Sequence, residues 1–173
     1  MGVAPVRRVV TGHDADGRAV VVADDLIEGV PNPTGSTFLT LLWTSLGSPV
    51  DNDDATDGRD REAGLTLPGG SVLRFVDLLP GRSGPMHRTS SLDYGIVVAG
   101  TIELILDDDV RTLVEAGQVV VQRGTIHGWH NPSPDTTARV AFVLLDASPA
   151  TVDGRPLPDI HPAGAPRPAG DGA

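Results

Sequence analysis

GPMHRTSSLDYGIVVAG (residues 84–100) and GQVVVQRGTIHGWHN (residues 117–131) decide the reading of this 173-residue chain. Each sets a histidine beside a run of Val, Ile or Tyr closed by glycine, the composition of a short strand with a turn at its end. Side chains on a strand alternate between its two faces. His87, Thr89, Ser91 and Asp93 therefore share one face, and Tyr94 takes the other as a packing residue. His127, Trp129 and Asn131 likewise share a face, which leaves His130 on the opposite side unless the strand is bulged there. If both faces look into one barrel, two imidazoles and a carboxylate converge.

Outward from these stretches the strand signals continue. SVLRFVDLL (71–79), TIELILDD (101–108), RTLVEAG (111–117) and ARVAFVLLDA (138–147) follow one another through short Gly, Pro and Asp turns. Many short strands at close spacing predict an all-β sandwich or barrel over 70–147. Upstream, RRVVTGHDADGRAVVV (7–22) reads as a β-hairpin turning at Asp16-Gly17; its acidic cluster lacks the spacing and closing Glu of a calcium loop. STFLTLLWTS (36–45) predicts a strand packing over the barrel. Between residues 47 and 70 the acidic stretch 51–60 predicts a flexible, solvated loop. The chain thus divides into an N-terminal region of strands and acidic loop (1–69), a barrel core (70–147) and an extended tail rich in Pro, Gly and Ala (148–173).

Composition narrows the chemistry. Cysteine is absent, so disulfides, thiolate metal sites and cysteine nucleophiles are excluded. The basic residues are all arginine, which removes Schiff-base catalysis and a P-loop lysine. A formal charge of -10 opposes nucleic acid and anionic lipid, and no apolar run approaches the length of a membrane span. These features read as a cytoplasmic protein with neither nucleic acid nor membrane as partner.

Two histidines and one carboxylate with open positions left over form a recurrent site for Fe(II), and the same set holds Zn, Mn or Ni. The metal set read here is His87, Asp93 and His127, with ordinary hydrogen-bonded interior histidines as the alternative.

The two opening stretches together resemble the paired motifs of the cupin superfamily. In the first motif His87 takes the place of the first histidine, Asp93 the acidic place usually held by Glu, and Gly100 the closing glycine. In the second, Gly117, Gly124, His127 and Asn131 fill the expected places. The chain departs from the pattern at Thr89, which replaces a second metal-binding histidine, and at Arg123, where proline is common. The triplets HRT and DYG and the run QRGT also resemble a subgroup of small single-domain cupins.

The resemblance covers roughly residues 70–147 and implies a double-stranded β-helix, the cupin jelly-roll barrel, with the N-terminal hairpin as an extension. It implies a pocket for one small molecule, with His87, Asp93 and His127 as catalytic residues and Thr89, Trp129 and Arg74 lining the substrate site. Arg74, Arg88 and Arg123 are candidates to bind a carboxylate or enolate oxygen, or else surface and interstrand ion-pair partners. The expected activity is lyase or isomerase chemistry, namely decarboxylation, dehydration or cyclisation of an oxygenated or aromatic carbon substrate. A divalent ion would assist it, or His127 and Asp93 would move the proton without one. An Fe(II) dioxygenase and a non-catalytic small-molecule-binding protein are the alternatives. A homodimer using residues 36–45 is expected from exposed strand edges.

Overall fold

The computed structural model describes residues 2–162. Thirteen strands follow in chain order: β1 (Val6–His13), β2 (Ala19–Ile27), β3 (Val30–Pro31), β4 (Thr37–Leu46), β5 (Gly70–Leu78), β6 (Ser91–Ala99), β7 (Thr101–Ile105), β8 (Arg111–Glu115), β9 (Val119–Arg123), β10 (Gly128–His130), β11 (Ala138–Asp146), β12 (Thr151–Val152) and β13 (Arg155–Pro156). The fold is all-β, as expected. No helix of the described residues is long and apolar enough to cross a membrane.

A six-stranded sheet in the order β3-β4-β5-β11-β6-β9 faces a three-stranded sheet in the order β10-β7-β8, and every neighbouring pair is antiparallel. The apolar run of 138–146 occupies an inner position of the larger sheet, between β5 and β6, where both its edges are paired. Gly100, at a positive φ of 73°, turns β6 into β7 and carries the chain from one sheet to the other; a Cβ there would lie 2.9 Å from Ala138 Cα. The main core forms where the sheets meet. Leu78, Val97, Val140 and Phe142 of the large sheet pack against Ile102, Val114 and Trp129 of the small one.

The N-terminal hairpin closes a second, smaller core. Val6 and Ile27 of β1 and β2 pack with Leu42, Leu73 and Phe75 on the outer side of β4 and β5. Its turn is held by Asp14, whose Oδ1 accepts the backbone N–H groups of Asp16 and Arg18, so this carboxylate is spent on backbone as the turn reading requires. The hairpin runs on to Ile27, beyond the predicted 22.

Where the sequence predicts a solvated loop, the structure gives residues 47–69 several attachments. Arg8, its side chain only 7% exposed, donates to both Asp25 and Asp57 at 2.7 Å and lies over the Trp43 ring. Thr44 Oγ1 donates to the Gly58 carbonyl, and Arg61 pairs with Asp54. A Cβ on Gly58 would fall 2.6 Å from the Trp43 ring, so glycine is what lets this segment lie against β4. The carboxylates of the acidic stretch drew the solvated reading, whereas Asp57 is received by Arg8, far away in sequence, and Asp54 by Arg61 of the same segment. The start of the tail also returns to the barrel. Arg88 and Ile160 exchange backbone hydrogen bonds of 2.9 and 3.0 Å, and Ser90 Oγ donates to Asp159. The tail beyond Pro162 lies outside the described residues.

Candidate functional site

A cavity of about 450 Å³ opens between the sheets, and His87, Thr89, Asp93, His127, Trp129 and Arg74 all line it. Strand alternation accounts for the set: along β6 the residues at 91, 93, 95 and 97 are buried while Tyr94, Ile96 and Val98 face solvent. Leu39, Leu41, Val76, Leu78, Phe142 and Leu144 supply apolar walls. Segment 47–69 contributes Arg59, Gly64 and Leu65 to the rim, and the tail contributes Pro162.

His87 and His127 meet through an antiparallel bridge, their backbones exchanging hydrogen bonds of 2.9 Å. Their ring centroids lie 4.1 Å apart. Each Nδ1 sits on a carbonyl oxygen, that of Pro85 at 3.1 Å and that of Thr125 at 3.0 Å. A carbonyl only accepts, so both rings carry their proton on Nδ1 and present a bare Nε2 lone pair. Burial lowers the pKa of His87, against the pull of the Pro85 carbonyl. Burial and the neighbouring His87 bring His127 down to about 4. Both imidazoles are therefore neutral near pH 7. Trp129 meets His127 edge-on at 5.7 Å and Phe142 at 5.5 Å, forming an aromatic wall behind the pair.

Asp93 lines the same cavity from β6. Opposite it on β9 stands Gln122, whose Nε2 donates to Asp93 Oδ2 at 2.7 Å. Burial pushes the Asp93 carboxyl up to about 6, and the Ser91 hydroxyl and Arg74 charge restrain it. Arg74, 6% exposed, sends Nη2 to the carbonyls of Gly64 and Leu65. Desolvation lowers its pKa to about 10, so it remains a cation at neutral pH. Gly95 has a packing reason: a Cβ there would sit 2.9 Å from the Phe142 ring, so the glycine of DYG makes room for an aromatic wall.

The expected ion set was His87, Asp93 and His127. Among the described residues no three His, Asp or Glu side chains come close enough to share an ion. Asp93 is drawn to Gln122, and Thr89, where a further imidazole would stand, shares a 2.8 Å hydrogen bond with Ser91 instead. The two imidazoles fall short of the three protein donors that an Fe or Zn site of the expected kind uses. Other candidates also sit elsewhere. His130 Nδ1 bonds Ser83 Oγ at 2.9 Å, Arg123 is exposed on β9, and Arg88 reaches the Pro158 carbonyl of the tail.

Gln122 escaped sequence reading. It is polar, 5% exposed and adjacent to the conspicuous Arg123, and only the register of β6 against β9 puts it opposite Asp93. The parity of residues 118–124 around the buried Gln122 was the available signal.

Known proteins resemble this chain along nearly its whole length. It is 40% identical over 159 residues to phomopsin biosynthesis cluster protein C' of Diaporthe leptostromiformis, covering 87% of this chain and 83% of that one. It is 35% identical over 164 residues to the cupin-domain-containing oxidoreductase fogC of Aspergillus ruber, covering 90% and 80%. Among solved structures, the cupin domain of Schizosaccharomyces pombe Cnp3 superposes with a TM-score of 0.52 at 10% identity, over 81% of this chain and 87% of that one. Residues 74–144, which span the barrel strands and the lining positions from Arg74 to Leu144, match the cupin domain model. With its two facing sheets, its histidines on adjoining segments and these relatives, the chain belongs to the cupin family.

Proposed function

We propose that this protein is a small-molecule enzyme that moves a proton on an apolar, oxygenated carbon skeleton, in isomerisation, dehydration or cyclisation. One observation carries the reading: two neutral imidazoles with free Nε2 lone pairs, 4.1 Å apart, stand inside an apolar cavity. A base of this kind takes the C–H proton next to a carbonyl, and the electron pair moves onto the carbonyl oxygen as an enolate. His127 and His87 supply the base. Arg74 supplies positive charge where negative charge develops, and the protonated Asp93 carboxyl gives its proton to that oxygen, leaving the enol, an Asp93 carboxylate and an imidazolium that returns its proton at the new position. The names of relatives, which place them in biosynthesis clusters, support a small-molecule substrate.

Deuterium exchange into 2-tetralone, a small apolar ketone, tests this by NMR in D2O. The wild type should accelerate exchange next to the carbonyl, and His127→Gln should lose about 100-fold or more of that acceleration, the scale of a general base. No acceleration, or an unchanged rate in the variant, overturns the reading.

Several relatives carry the word oxidoreductase in their names, and this favours oxidation as a second reading. An oxygen electrode separates the two, since uptake coupled to loss of the ketone would replace proton transfer. Binding with neither exchange nor uptake would leave a binding protein. A cytoplasmic location and a homodimer remain parts of the proposal.

A further inference from the structure

Two charged side chains at the cavity wall keep an unused hydrogen-bonding atom. Arg74 Nε and Asp93 Oδ1 are both buried and without a partner among the described residues. Their hosts are only 6% and 2% exposed. Arg74 spends Nη2 on two neutral carbonyls, and Asp93 meets the neutral Gln122 amide and Ser91 hydroxyl, so neither charge is met by an opposite charge in contact. The two do feel one another, each favouring the other's charged form, although Arg74 Nε and Asp93 Oδ1 do not bond each other. β11 separates their strands: Arg74 stands opposite Phe142, and Asp93 opposite Leu144. An unsatisfied buried donor and acceptor each cost free energy, so two on one cavity mark a place where something else binds.

We propose that Arg74 and Asp93 form a subsite for a neutral hydroxyl oxygen, the enol or phenol of a small apolar ligand. This rests on the proton-transfer reading of the cavity and names the substrate class for it. An oxygen bonded to both a donor and an acceptor joins groups up to about 6 Å apart, farther than a direct contact reaches. Such an oxygen must accept from Arg74 Nε–H and donate to Asp93 Oδ1. A hydroxyl does both. A carbonyl accepts only and leaves Asp93 unpaired; a carboxylate accepts only and sets a second negative charge beside it; an ammonium donates only and leaves Arg74 unpaired. An enol or phenol offers both abilities on one oxygen while its carbon skeleton meets the apolar walls. Gln122 is a positioning residue here, because by holding Oδ2 it leaves Oδ1 as the free oxygen.

Calorimetric titration at pH 8 with 2-naphthol, naphthalene and 2-naphthoate tests the subsite. The three share one ring system and differ at the oxygen. 2-Naphthol should bind at least about tenfold more tightly than either of the others, the scale of a hydrogen bond to a charged group. In Asp93→Asn, the preference for 2-naphthol over 2-naphthoate should fall about tenfold, because the repelling charge is gone while the side chain keeps its shape. Affinities within threefold across the panel, no binding by any of the three, or an unchanged preference in Asp93→Asn would each overturn the proposal. Equilibrium binding is read separately from exchange. A hydroxyl preference without deuterium exchange sinks only the catalytic reading, and exchange without the preference sinks only the subsite.

Discussion

Asp93 shows what one residue at such a site costs the fold. Its carboxyl is raised to about 6 because burial disfavours the charge, and no cation touches it. An acid whose folded pKa lies above its unfolded value binds protons more tightly when folded, so stability falls as pH rises between the two values. Above about pH 6 the charged Asp93 therefore destabilises the protein by about 3 kcal/mol, taking 1.4 kcal/mol per unit. Asp93→Asn removes the charge, and its amide also offers a donor to Gln122 Oε1, which has no partner among the described residues. Urea unfolding at pH 8 should show the variant more stable than the wild type by about 2–3 kcal/mol, with the gain vanishing at pH 4. A variant less stable at pH 8 would mean that the charge is compensated.

At this scale the sequence was partly legible. Alternation along a strand depends only on counting, and so the lining positions His87, Thr89 and Asp93 could be read from it. Distances between residues on different strands depend on register. Neither Gln122 opposite Asp93 nor the convergence of just two imidazoles could be counted out in advance.

Among the elements, the segment between β4 and β5 carries the larger lesson. Asp57 read as part of a solvated run because its partner lies elsewhere: Arg8 belongs to β1, and it clamps Asp25 of β2 to Asp57 of the segment. The Arg8 guanidinium holds Asp57 down to about 2 and Asp25 below the ordinary carboxylate range. For a lowered carboxylate the stabilising contribution is present above the unfolded value and disappears as pH falls through the folded one. The clamp should be complete at pH 6, weaken below about pH 4 and be gone near pH 2. Since Gly64 and Leu65 of this segment line the cavity, its release opens the rim. Limited pepsin digestion should cut within residues 47–69 increasingly between pH 4 and pH 2, and Asp57→Asn should be cut there already at pH 4. Equal protection of the two proteins at pH 4 would separate the ion pair from the order of the segment.

For the whole molecule, the barrel was legible because its strands are short, alternating and punctuated by glycine, whereas the way copies meet was not. An interface through residues 36–45 was expected from an open strand edge. In the structure that edge is blunted: β3 pairs it at Phe38 and Leu39, and Arg59, Arg8 and Arg61 donate to the carbonyls of Leu41, Leu42 and Thr44. One exposed apolar surface lies on the outward face of β6 and β9, where Tyr94, Ile96, Val98, Val119 and Val121 stand together; the hairpin exposes Val20, Val21, Val22 and Leu26 as well. On a chain with a net charge of -10, two copies approach most easily through a face that carries no carboxylate. A homodimer is therefore expected through β6 and β9, with a two-fold axis presenting the same residues from both copies. Light scattering coupled to gel filtration should give twice the 18.0 kDa chain mass, and Val121→Glu should give the monomer. Because Val121 points away from the cavity, the variant should retain wild-type affinity for 2-naphthol; a dimer unaffected by it would move the interface to another face.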